Sequence, residues 1–64
     1  MCNFSGNLQK YRKEKGLSQW QLSKLAGISQ TAISKYELDM IKPSIDIACK
    51  LADVLGVELT DLVY

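Results

Sequence analysis

Histidine is absent from this 64-residue chain, and cysteine occurs only as Cys2 and Cys49, with no Cys-x-x-Cys pair. A zinc centre needs closely spaced Cys, His or acidic ligands, so no metal site is read here. Cys2 stands in a polar start. Cys49 stands within an apolar helical run and is expected to be a small buried core residue, with a disulfide to Cys2 or a reactive thiol as alternatives. Long apolar runs are lacking too: none approaches the roughly 20 residues that span a bilayer. Met1 to Gly6 shows neither a basic n-region nor an apolar h-region, so a secretory leader is not read and a cytoplasmic location is expected. The chain is short for a cleft-bearing enzyme or a separate small-molecule effector domain, since a domain of about 60 residues buries only about 60% of its unfolded surface. Without histidine, a metal cluster or a nucleophile–base pair, no catalytic residue and no cofactor is nominated. Asp53, Glu58 and Asp61 fall on a solvated helical surface rather than around a cleft.

What is present is ordinary for a soluble globular domain, with 47% apolar and 23% charged residues. The net charge of +1 is unevenly placed. Residues 1–36 hold six basic side chains against one acidic, and residues 37–64 hold two against six, a split of +5 and −4. Such asymmetry suits a polyanion on one face, although a mixed solvated surface would segregate in the same way.

Helical periodicity dominates, and no segment alternates convincingly with the two-residue period of a strand. A first helix is read over about Ser5 to Lys15, with Phe4, Leu8, Tyr11 and Arg12 on one face and Gly16 as its stop. Ser18-Gln19-Trp20-Gln21 fits a capping box opening a second helix, whose inward residues are read as Leu22, Leu25 and Ala26. Gly27 ends it after about two turns. Ser29 caps a third helix with Ile33 and Tyr36 inward. Residues 38–43 form a loop, with Pro43 holding Lys42 extended. Ser44 caps a fourth helix running to about Leu55, with Asp46 near the positive end of its dipole and Ile47, Ala48, Leu51 and Leu55 inward. A short fifth helix is expected from about Glu58 to Leu62, with Leu59 and Leu62 inward. The expected fold is all-α: a compact five-helix domain, 1–64, and no sheet.

The second and third helices are separated only by Gly27-Ile28-Ser29, so they must cross steeply, which is helix-turn-helix geometry with the motif at 19–38. Ser23 is small enough for close approach, and Gly27 supplies the sharp turn. The third helix then turns Gln30, Thr31, Ser34 and Lys35 outward. A helix fits the major groove of B-DNA. There Gln pairs with adenine, Lys donates to guanine and the Thr methyl meets a thymine methyl, so these four are the candidate base-contacting residues. The free amides at the start of the second helix form an anion site, which places Ser18 and Gln19 at the DNA backbone, with Ser29 at the cap of the reading helix. Lys10 and Lys13 are weaker candidates on a basic helix face.

Leu17-Ser18-Gln19, Leu22-Ser23, Ala26-Gly27-Ile28-Ser29 and Ile33-Ser34-Lys35-Tyr36-Glu37 together resemble the phage-repressor and Cro type of helix-turn-helix, the XRE-type family. Lys42-Pro43-Ser44, Leu51-Ala52 and Leu55-Gly56-Val57 resemble its fourth helix. The likeness extends from about Phe4 to the end. It implies a repressor-like five-helix domain that binds double-stranded DNA, with Gln19 and Lys42 at positions that commonly touch the backbone. It also implies a partly buried structural salt bridge between Arg12 and Glu37. One departure stands out. The family often carries Asn-Gly after the Glu, a pair suited to a left-handed turn with amides aimed at phosphate, where this chain has Leu38-Asp39. That loop, with the low net charge, predicts weak non-specific affinity.

The leading expectation is therefore a sequence-specific transcriptional regulator on a palindromic operator. It would bind as a homodimer through the apolar C-terminal residues Leu59, Leu62, Val63 and Tyr64. The alternative is a protein-interaction module, antitoxin-like or anchoring, that uses the same fold without reading DNA. Trp20, Leu38, Met40 and Ile41 would then form the contact surface.

Overall fold

The computed structural model describes residues 3–64 and contains five helices and, among the described residues, no strand. They are α1 (Phe4–Glu14), α2 (Gln19–Ala26), α3 (Gln30–Glu37), α4 (Ile45–Leu55) and α5 (Leu59–Val63). The chemistry of each start is visible. Ser18, Ser29 and Ser44 are extended and accept the amide hydrogens of Gln21, Ala32 and Ile47 on their hydroxyl oxygens, satisfying donors that a helix cannot pair internally. α5 opens on Glu58, whose amide donates to Asp61 Oδ2 at 3.2 Å. α1 begins one residue before the expected Ser5 and α5 one residue after the expected Glu58, both within the fraying of helix ends.

α3 packs against both α1 and α2, while α5 packs across α1 and α4. Each helix sends a fully buried side chain to the shared centre: Leu8, Leu22, Ile33, Leu51, Leu55 and Leu62. Phe4 and Tyr36 meet edge to face, with ring centroids 5.8 Å apart, and join the start of α1 to the end of α3. The C-terminal end is pinned to α1 by two hydrogen bonds. Asn3 N–H donates to the Val63 carbonyl at 2.8 Å, and Asn7 Nδ2 donates to the Leu62 carbonyl at 3.1 Å.

Three side chains correct the expectations. Leu25 is 62% exposed rather than inward. The buried edge of α2 runs through Gln19, Leu22, Ser23 and Ala26, and two residues at about 100° each turn Leu25 to the far side of Ser23. Cys49 is a half-buried free thiol on the margin of the α4 stripe, not a core residue. Cys2, its suggested disulfide partner, lies outside the described residues. Leu62 is fully buried, in keeping with its inward place on the fifth helix, and so has no surface to offer a second copy.

Candidate nucleic-acid interface

The geometry of α3 begins with the turn before it. Gly27 has φ +68, and a Cβ there would meet nothing within 4 Å. The left-handed backbone, not crowding, is what selects glycine at this position. Ser23 is buried, and its hydroxyl donates to the Trp20 carbonyl at 2.6 Å, which removes the cost of burying a polar group where α2 crosses α3. Ile28 and Ile33 close the crossing from inside.

With Ile33 and Tyr36 committed to the core, the opposite side of α3 faces out. Gln30, Thr31 and Lys35 are exposed and Ser34 is half-buried. These four residues line one open groove together with Gln19 from the start of α2 and with Leu38 and Met40. Five of the sequence-nominated residues thus meet in one place. Ser18 and Ser29 directly precede Gln19 and Gln30 as helix caps. Each hydroxyl oxygen accepts from its own helix, which leaves its O–H free to donate. Lys42 is not among them. It lines a separate groove with Phe4, Pro43, Ala48 and Leu59, and its Nζ lies 3.9 Å from Asp39 Oδ1 on an exposed surface.

From the sequence, Leu38 and Met40 read as partner-contact residues, and Leu38 also as a departure from the family's Asn-Gly turn, but neither as part of the groove. The spacing Gln30, Ser34, Leu38 was the available signal, because residues four apart stack on one helical face. The chain keeps Leu38 on that face by closing α3 with three backbone bonds. Leu38 N–H donates to Ser34, Asp39 N–H to Tyr36 and Met40 N–H to Lys35, at 3.0, 3.2 and 2.9 Å. The last two bonds define a Schellman motif, with Asp39 in the left-handed position at φ +59. Asp is among the few non-glycine residues that tolerate that region.

The rear of α3 is fastened to α1 and α2. Arg12 Nε donates to Glu37 Oε2 at 2.6 Å and Nη2 to Oε1 at 3.1 Å, while Nη1 donates to the Leu17 carbonyl at 2.7 Å. Gln19 Nε2 also donates to Glu37 Oε1, at 3.1 Å. The Arg12 and Glu37 side chains are 11% and 2% exposed, and no buried side-chain polar atom among the described residues lacks a partner. Because a carboxylate only accepts, the Gln19 amide must turn its NH2 toward Glu37, and this fixes its orientation at the edge of the groove.

The outer side of α2 carries Trp20, 56% exposed, with Lys24 Nζ 5.5 Å from its ring centroid. Lys10 and Lys13 are exposed on α1, away from the groove-lining set. At the C-terminal end, Leu59 and Val63 are half-buried beside an apolar groove of about 340 Å³, and Ile45 and Tyr64 are exposed at its lining.

Residues 8–62 match a helix-turn-helix family. Over 52 residues, 81% of this chain, the sequence is 42% identical to an HTH-type transcriptional regulatory protein of Methanocaldococcus jannaschii, of which the match takes in 16%. The chain therefore spans about one sixth of that relative. Among solved structures, the restriction-modification controller protein C.AhdI from Aeromonas hydrophila superposes with a TM-score of 0.88 at 32% identity, covering 92% of this chain and 89% of that one. SinR of Bacillus subtilis, a master regulator for biofilm formation solved in complex with DNA, gives a TM-score of 0.87 at 34% identity over 91% of this chain and 97% of that one.

Proposed function

The chain belongs to the XRE-type helix-turn-helix family, and on that premise we propose that it binds duplex DNA sequence-specifically and serves as the DNA-reading part of a transcriptional regulator. One observation carries the reading: a single outward face on α3 that gathers Gln30, Thr31, Ser34 and Lys35 around one open groove, with Gln19 at its edge. In the major groove Gln30 would pair with adenine and Lys35 with guanine, while Thr31 and Ser34 would take either polar partners or the thymine methyl. Ser18, Gln19 and Ser29 would hold the phosphates through hydroxyls, the locked amide and the free N–H groups at two helix starts. Lys42, exposed and 3.9 Å from the Asp39 carboxylate, would add a phosphate contact against the repulsion of that carboxylate.

A palindromic operator bound by a homodimer follows from reach. One recognition helix covers few base pairs, and two copies span half-sites one helical turn apart. With Leu62 withdrawn into the core, the self-association surface would be Leu59, Val63, Tyr64 and the neighbouring Ile45. The test is selection from a randomised duplex pool at physiological salt, followed by sizing of the complex on the enriched duplex. An enriched motif with inverted symmetry and a two-to-one complex is the expected result. Failure to enrich any motif would remove the specific-reader reading.

A second reading rests on exposed apolar groups. Trp20, Leu38, Met40 and Ile41 are 56%, 67%, 64% and 41% exposed, and such groups often mark protein interfaces. An antitoxin-like or anchoring module would capture its partner, lose that capture on Trp20→Ala and show no DNA motif in wild type.

A further inference from the structure

We infer that Leu38 extends the base-reading face of α3 by one turn and recognises a thymine through its 5-methyl group, with Met40 walling the contact. This rests on the reading of α3 as the DNA-facing helix, and it assigns a specificity role to a residue that neither hydrogen-bonds nor carries charge.

Three observations lead there. Leu38 follows Gln30 and Ser34 at four-residue intervals and lines the same groove, with Met40 beside it. Both side chains are well exposed, at 67% and 64%. Neither is loosely held by the backbone, because the amides of Leu38, Asp39 and Met40 are all tied back to α3. The groove therefore ends in a positioned apolar wall.

Charge points the same way. A segment built to grip phosphate would present free cations and amides. Here the amides of 38–40 are spent on the helix end. Asp39 repels phosphate, and the neighbouring cation, Lys42, lies 3.9 Å from the Asp39 carboxylate. The loop offers the backbone little, which directs the contact inward to the bases.

Among base edges in the major groove, the thymine 5-methyl is the apolar feature, and an apolar side chain such as leucine can contact it. Eight residues of helix put Leu38 about 12 Å from Gln30, roughly three to four base pairs at ~3.4 Å each. The thymine read by Leu38 would thus lie at the end of the half-site opposite the base read by Gln30.

The experiment uses the duplex that wild type enriches, with each thymidine replaced singly by deoxyuridine. Uracil keeps every hydrogen-bonding group of thymine and loses only the methyl. One uracil substitution at the far end of the half-site should weaken wild-type binding about fourfold, the scale of burying one carbon group. The same substitution should cost nothing in Leu38→Ser, whose exposed position leaves the fold intact by circular dichroism. Equal losses in wild type and Leu38→Ser would assign the methyl contact to another residue at that end of the groove, such as Met40, and overturn the inference. Specific binding insensitive to every uracil would also overturn it while the DNA-reading proposal stands, and would leave the Leu38–Met40 wall free for a protein partner. Absence of any specific duplex would bring down both.

Discussion

The two ends of α3 are built in opposite ways. Its start is polar and exposed: Ser29 caps it, and Gln30 and Thr31 project outward. Its end is fixed from behind by Arg12, Glu37 and Gln19 and from within by Tyr36 against Phe4, and its exposed surface turns apolar at Leu38 and Met40. A helix that must enter a groove benefits from this division. On the proposed function, the far end would set its angle and the near end would stay free to adjust to base edges. Stability should therefore rest on the inward side of α3, at Tyr36 and Glu37, and specificity on its outward face.

The largest effect should come from unfastening the rear. Arg12→Ala or Glu37→Ala strands a buried charge and should cost about 3–5 kcal/mol, a large part of the stability of so small a fold. Urea unfolding measures it, and a loss below about 1 kcal/mol would mean the frame is not held there. At the front the pattern inverts. Gln30→Ala should remove about 1–3 kcal/mol of discrimination at one base position, with stability unchanged within about 0.5 kcal/mol, read by fluorescence anisotropy and unfolding on the same preparation.

Asp39→Gly probes the hinge between the two kinds of surface. It relieves a left-handed aspartate at φ +59 and should raise stability by about 1 kcal/mol, which corresponds to roughly 4–8 °C in Tm at this size. It should also free Lys42 and steepen the salt dependence of DNA binding. The smallest effect is expected on the outer side of α2, where Trp20→Ala should change stability by no more than about 0.5 kcal/mol. A larger loss there would show that the Trp20–Lys24 stack supports α2 rather than standing clear of it.

Much of this layout is legible in the residues. Serines before the helices and glycines after several of them fix the element boundaries to within a residue, because caps and left-handed stops are local chemistry. The outward set on α3 follows from the 3.6-residue period once Ile33 and Tyr36 are taken as inward. What local patterning misses depends on the tertiary arrangement. Leu25 is spaced like a core residue, but eight residues of helix have only one inward edge, and Leu22, Ser23 and Ala26 occupy it. Leu62 reads both as inward on the fifth helix and as part of a self-association surface, and the packing of α5 across α1 and α4 leaves only the first. Cys49 lies beside the α4 stripe rather than on it. The Gln19–Glu37 bond joins residues 18 positions apart, and no periodicity announces a side-chain bond between two helices. The place of Leu38 and Met40 on the α3 groove needed the observed helix end, since a family-like Asn-Gly turn offers no side chain comparable to Leu38.

The central claim is that the front of α3 reads bases while its rear holds the frame. Base-preference matrices for wild type and Gln30→Ala, selected in parallel from one randomised duplex pool at physiological salt, test it most directly. The account predicts a defined wild-type motif in which Gln30→Ala erases or changes preference at one or two adjacent positions and leaves the rest intact. Identical matrices for the two proteins, or no motif in wild type, would contradict it.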